Sequence, residues 1–370
     1  MITTKKIFLL LLFLLMLSIV YGQENAAKEK RPFYFELNVD EDLFLLKSTD
    51  QFYSFGTAIL FGWKGLDNKF TNTILPKLSD SHQLFKMGIV HKMYTPRDVQ
   101  RADVDSTDIP FCGETYLTLI HNSLNPSLGL VLMTKLDLGV VGEISGARHF
   151  QNSFHSAIGN NEIAGWENQI GNGLYLNYTA VLMHNLISSF SFAEAFVGGR
   201  GTVGTMDISF EGFVYLRVGI FNDFFVQAER PYSKKADLSS FYNLADKSYA
   251  RMKYPDTMWS EDPALREKAT STWLSRNFKP LQVYIKFISG GILNAYDGQM
   301  QGSLIAFESS PYTIPADKIP MWQHRLSVGI VFSYKFGTLE YNWDRITYEP
   351  DDKFPPYYPK WGRFNLNFNL

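Results

Sequence analysis

Phe364-Asn365-Leu366-Asn367-Phe368-Asn369-Leu370 closes the chain and alternates without a break, apolar side chains at even positions and asparagines at odd ones. Successive side chains of a strand point to opposite faces, so this segment is a strand with one oily face and one amide face. An amphipathic helix would space its apolar positions every three or four residues instead. Upstream the pattern recurs. Leu326, Val328, Ile330, Phe332, Tyr334 and Phe336 form one apolar row, with Ser327, Gly329, Ser333 and Lys335 opposite. Gly337 reads as a turn, and the return through Leu339, Tyr341 and Trp343 puts Glu340, Asn342 and Asp344 on the polar face. Leu281 to Phe287 and Phe33 to Asp40 alternate in the same way.

Further strands are expected near residues 53–64, 84–93, 114–123, 129–142, 171–183, 188–199, 205–220 and 298–308. In lipid a strand can cross only where every backbone group is paired, which requires a closed barrel. Segments of about ten residues, apolar outside and polar inside, are the mark of such a barrel. A soluble β-sandwich also alternates, but its strands run shorter. The expected fold is therefore all-β, a transmembrane antiparallel β-barrel of about twelve strands, an even number being usual. Long loops 143–170 and 222–279 interrupt the strands, with short helices expected at Ala147–Ile158 and Pro263–Trp273. Outer-membrane barrels keep periplasmic turns short and external loops long, which places both loops outside the cell.

The N-terminus fits export. Lys5 and Lys6 precede an unbroken apolar run from Ile7 to Leu17, and Ser18 to Gly22 offer a cleavage site before Gln23. This is the layout of a secretory signal peptide, and the run is short for a membrane anchor. The chain divides into a signal at 1–22 and a barrel at 23–370. The 35 basic and 37 acidic residues leave no basic excess for a nucleic-acid partner. The 15% aromatic content, with 20 Tyr and 30 Phe, suits the girdles that barrels carry at both membrane interfaces. A lone Cys112 excludes an internal disulfide.

The chain has no phosphate-binding glycine loop, zinc spacing or Gly-x-Ser-x-Gly elbow. Its polar clusters instead sit where strands meet loops. Asp40-Glu41-Asp42 ends the first strand, and such hard oxygen donors suit Ca²⁺, a solvated acidic strand end being the alternative. Tyr53-Ser54-Phe55-Gly56 enters the second strand; Tyr94-Thr95-Pro96, then Arg101, follows the third; Asp108-Ile109-Pro110-Phe111 precedes the fourth. Gln151 to His155 and Gly165 to Gln169 lie in the long loop.

In this order, with Glu41-Asp42-Leu43-Phe44 at the head, these segments resemble the lipid A 3-O-deacylase family of outer membranes, from about residue 33 to the C-terminus. Gly139 to Gly142 and Gln301-Gly302-Ser303 fit as well. The resemblance implies a twelve-stranded barrel in the bacterial outer membrane with its site at the outer-leaflet end. It also implies calcium dependence and hydrolysis of the ester-linked 3′ acyl chain of lipid A, the partner being lipopolysaccharide. Carried over, His155 is the general base on water, Asp42 and Glu41 are the calcium ligands, and Ser54 stands where the family has Thr. Arg101 stands near the family's lysine, and Glu41 takes its Asn position. Glu41 cannot donate as an amide can, Arg101 differs from lysine in shape, and Ile109 removes a charge. These departures keep two other functions in view: a non-catalytic barrel, either channel or lipid-binding relic, and an outer-membrane phospholipase.

Overall fold

A computed structural model describes residues 33–45, 52–63, 66, 68–79, 81–126, 128–190, 192–225, 262, 264–265, 268, 279–334, 337–349 and 359–369. The signal segment 1–22 lies outside them, as does most of Pro263–Trp273, of which Ala264, Leu265 and Lys268 are helical.

Twelve antiparallel strands close into a barrel: β1 (Phe33–Glu41), β2 (Phe52–Trp63), β3 (His82–Thr95), β4 (Cys112–Asn125), β5 (Leu130–Val141), β6 (Gly173–Phe190), β7 (Ala193–Gly204), β8 (Asp207–Ile220), β9 (Leu281–Asp297), β10 (Trp322–Tyr334), β11 (Gly337–Glu349) and β12 (Lys360–Asn369). Each pairs with its sequence neighbours, and β1 pairs with β12 from Tyr34–Asn369 to Glu41–Gly362, which closes the ring. Among the described residues, short α-helices accompany them at α1 (Lys69–Ile74), α2 (Ala147–Ile158) and α3 (Gly298–Gln301). Among the described residues no helix is long and apolar enough to cross a membrane.

The alternation read from the sequence is the inside and outside of this wall. Leu117, Leu138, Leu182, Val203, Phe210, Ile285, Ile330, Phe332 and Leu339 are exposed on the outer face, where lipid satisfies them. The inner face is polar and pairs its charges. Lys86 bridges Glu36 at 2.7 Å, Lys135 bridges Asp137 at 2.7 Å, Arg217 bridges Glu194 at 2.6 Å, and Lys286 pairs with Glu340. The β12 asparagines join this network: Asn365 donates to Glu36 at 3.0 Å and Asn367 to Asn365 at 3.1 Å.

Three expectations are corrected. The strand expected at 298–308 is α3 followed by irregular chain, held to the start of β6 by Leu174 N–H donating to the Ile305 carbonyl at 2.9 Å. The strand expected at 281–287 instead continues to Asp297. The chain also leaves the barrel for its two long loops at opposite ends. Both termini of the barrel sit at one end, so odd strands leave it and even strands return. Residues 142–172 follow β5 and lie at the far, external end; the chain leaves β8 and enters β9 at the near, periplasmic end.

On its outer face near the periplasmic end, β4 and β5 carry polar residues that lipid would not solvate. The segment after α1 covers them. His121 donates to the Leu75 carbonyl at 3.1 Å, Asn125 to the Ser79 carbonyl at 2.9 Å, and Ser123 accepts from the Leu78 N–H at 2.9 Å. Backbone polar groups thus pair a polar patch that the wall would otherwise leave bare to hydrocarbon.

Candidate active site

Several of the segments singled out in the sequence lie at the external end of the wall, in part on its outer face. The register lines up one outward row across five strands: Gly362, Glu41, Phe55, Met93 and Gly113. Four strand spacings make this row roughly 19 Å long. Both of its ends are overhung. On the β12 side the 3-10 turn Asp42–Leu45 leans outward: Phe44 meets Phe364 edge-on at 4.7 Å, and Tyr341 donates to its carbonyl at 3.1 Å. On the β4 side α2 begins over Gly113, where a side chain would run into Ala147 and Ser145. Glu41 and Phe55 form the floor between, and Met93 is buried under the α2 side.

Alternation splits the acidic cluster. Asp40 turns into the lumen, where Arg363 holds it through Nε at 2.6 Å and Nη2 at 3.0 Å, and the Tyr53 hydroxyl donates to it at 2.7 Å. It is a lumen ion pair, unavailable to a metal on the outer face. Glu41 faces outward. Asp42 begins the adjoining 3-10 turn at the same rim; its side chain lies outside the described residues.

Ser54 reaches the outer face through a bulge. Tyr53 pairs with Tyr94 and Phe55 with Met93, so Ser54 is the extra residue. The bulge turns it toward Thr95, whose hydroxyl it bonds, and both side chains are buried. A straight strand would have sent Ser54 into the lumen's neighbour row or displaced Phe55 from it.

His155 sits on α2, on the helix face shared at four-residue spacing with Ala147 and Gln151; all three are buried, while Phe150 and Phe154 are exposed. Gln151 accepts the Trp166 indole N–H at 2.9 Å, and Trp166 packs on Phe111 with ring centroids 4.9 Å apart. Met93, Phe111, Ala147, Ile163 and Trp166 form one buried cluster, which fixes the helix to the wall. Gly159 caps α2 with φ 78, and its N–H bonds the His155 and Ser156 carbonyls. The chain then turns back so that His155 Nδ1–H donates to the Asn161 carbonyl at 2.9 Å. A carbonyl can only accept, so the imidazole lone pair lies on Nε2.

Arg101 is not brought against His155: its exposed guanidinium bonds Asp105 at 2.9 Å in the 96–111 loop. Asp108 braces that loop instead, accepting from Arg97 N–H and Ile109 N–H at 2.7 Å each. Ile109 packs with Ile314 and Ile319, an apolar role that an arginine would not fill. The sequence reading missed His91, Thr115 and Phe150. Their signal was present: His91 is a polar residue in the outward row Met87, Ile89, His91, Met93.

The calcium-type donors fit in kind, since the Glu41 carboxylate and the Ser54 and Thr95 hydroxyls are hard oxygens. Among the described residues no three Asp, Glu, His or Cys side chains gather as a metal cage.

The family model for outer membrane protein LpxR matches residues 8–370. The chain belongs to the LpxR family. It is accordingly a bacterial outer-membrane barrel. LpxR from Salmonella typhimurium has a similar fold, at TM-score 0.63 and 14% identity, over 91% of this chain and 100% of that one. The β domain of the Bordetella autotransporter BrkA, at TM-score 0.37 and 9% identity over 92% and 99% of the two chains, is too distant to inform the site. A search of curated proteins gives no match.

Proposed function

We propose that the protein is a calcium-dependent outer-membrane hydrolase that removes the ester-linked 3′ acyl chain from lipid A in the outer leaflet. The observation that carries this reading is the direction in which the cleft opens: Glu41, Ser54, Phe55 and the His155 helix stand on the lipid side of the wall. An enzyme for a membrane lipid needs polar groups on the side where the lipid is. Family membership supports the same substrate class.

His155 takes a proton from water through Nε2, the Asn161 carbonyl holding its tautomer as an acid–base group requires. Calcium, held by Asp42 and Glu41, would supply Lewis-acid stabilisation of the developing oxyanion. The buried Ser54 and Thr95 hydroxyls keep the bulge in shape beside Phe55. Phe55 and Phe150, stacked at 5.3 Å, give acyl chains an apolar surface. Arg101, paired with Asp105, contacts substrate only after leaving that partner.

The test is mass spectrometry of lipid A incubated with the purified barrel, with calcium and with chelator, glycerophospholipid being run alongside. Loss of one acyl chain from lipid A in calcium alone is expected, and its absence in His155→Ala with the barrel folded. Intact lipid A after incubation with the wild type would refute the reading; cleavage of glycerophospholipid instead would make it a phospholipase. A lipid-binding relic is the second reading, favoured by Arg101 being engaged elsewhere; it predicts lipid A binding without release.

A further inference from the structure

One row nearer the membrane centre than Glu41, Phe55 and Met93, the register sets Val39, Thr57, His91, Thr115 and Val140 side by side on the outer face. The next row down is Leu37, Ile59, Ile89, Leu117 and Leu138, which is wholly apolar. His91 therefore stands at the step between the polar cleft and the hydrocarbon-facing band, roughly 7 Å below the floor of the cleft.

Its protonation pattern is fixed by its neighbours. The Thr115 hydroxyl donates its one proton to the Ser145 carbonyl at 2.8 Å, so it accepts from His91 Nδ1–H at 2.7 Å. The lone pair is then on Nε2. That atom is enclosed and has no hydrogen-bond partner among the described residues. Phe150 of α2 closes the site from above, its ring 5.4 Å from the imidazole. The contrast with the periplasmic patch is informative: there the chain brings backbone groups to His121, Ser123 and Asn125. At His91 the fold locks one nitrogen through two hydrogen bonds and leaves an oriented acceptor on the lipid side. Buried polar atoms are normally paired, and an exception calls for a reason.

We propose that His91 is a substrate-orienting residue whose Nε2 accepts a hydrogen bond from a hydroxyl or amide N–H at the junction of polar headgroup and acyl chain of a bound lipid. This rests on the reading that the cleft holds lipid A. A lipid seated with its head on Glu41 and its chains along Phe55, Ile89 and Leu117 brings that junction to the height of His91. The acceptor selects chains bearing such a donor over plain esters, which have none to offer.

Two readouts separate this proposal from the hydrolase reading. In chelator, where turnover is stopped, lipid A added to the ¹⁵N-histidine-labelled barrel in detergent should move the His91 ring resonances, assigned by their loss in His91→Phe. In calcium, His91→Phe, an aromatic suited to a lipid-facing row, should raise KM about tenfold with kcat within about twofold, the mark of lost uniform binding. His91→Gln, which restores an acceptor, should recover most of that loss. Fatty-acid release by the wild type with an unmoved His91 signal, or with an unchanged KM in His91→Phe, overturns the proposal and spares the hydrolase. A shifted His91 signal without release sinks the hydrolase and leaves the lipid contact standing. Neither shift nor release refutes both.

Discussion

The hold of α2 on the barrel can be measured through one hydrogen bond. Trp166 is fully buried, and its indole N–H donates to Gln151 Oε1 at 2.9 Å, also out of water. Trp166→Phe removes the donor and strands that oxygen; leaving a buried acceptor unmet costs about 1–3 kcal/mol. Some packing on Phe111 and Met93 goes too, so the upper half of that range applies, about 2–3 kcal/mol. At about 1.4 kcal/mol per decade, opening of α2 should become roughly 30- to 140-fold more frequent. Gln151→Met removes the acceptor and leaves the indole N–H unmet, at a similar cost. The double variant has neither polar partner, so the two losses should not add, and about 1 kcal/mol or more should return as coupling. Hydrogen exchange is the assay, comparing amides of residues 147–158 with those of β9 and β10. Faster exchange confined to α2 is expected, with barrel strands unchanged. Equal protection of α2 in wild type and Trp166→Phe would refute the idea that this bond docks the helix.

Three further outcomes follow from the same geometry. Gly113→Val puts a side chain where Ala147 and Ser145 pack, so it should lift the start of α2 and abolish lipid A turnover while the barrel still shows its heat-modifiable shift on gels. Arg217→Met leaves Glu194 buried without its cation, which should lower unfolding stability by about 3–5 kcal/mol, read from the urea midpoint in detergent. Hydrogen bonds from Thr107, and then the Arg101 charge, hold the exposed Asp105 carboxyl below the usual aspartate range. Its pairing with Arg101 is therefore complete above the ordinary aspartate pKa and fades only as pH falls through the lowered one. A ¹³C carboxyl titration should show that low midpoint, and Thr107→Ala should bring it back toward the usual range.

Much of the wall was legible because period two is a property of single strands. The β12 asparagines and the β10 and β11 rows needed no partner information to be assigned inside and outside. Where the reading failed, the alternation itself was interrupted. The apolar row of β9 stops at Ser289-Gly290-Gly291, and the strand was cut there, although it continues to Asp297. The physical reason is inside the lumen: Gly290 pairs with Phe213 and Arg325 on its two neighbours, and a side chain on it would collide with Glu211. The wall thins there to admit the Arg325–Glu211 pair, 2.9 Å apart. The spurious strand at 298–308 was the counterpart of that cut. Loop placement was a different error, one of counting. Loop 143–170 follows an odd strand and 222–279 an even one, so the two could never share an end.

The site was legible in composition and hidden in arrangement. Gln151 and Trp166, noted as separate segments, are one hydrogen-bonded unit; Ser54 and Thr95, from two others, are a second. Asp40 and Glu41 looked alike in sequence, yet strand alternation gives one to the lumen and the other to the lipid side. The same rule gives a general reading of such walls. A polar residue at an outward position is costly beside hydrocarbon, so it must be roofed by chain or must meet a lipid's own polar atoms. At His121 the roof is the segment after α1, which supplies carbonyls. At Glu41 the roof is partial, two overhangs with a floor between, and the gap is as wide as two strands. A lipid headgroup entering sideways from the leaflet is the polar partner that such a gap can receive, which is why the chemistry of this barrel belongs on its outside.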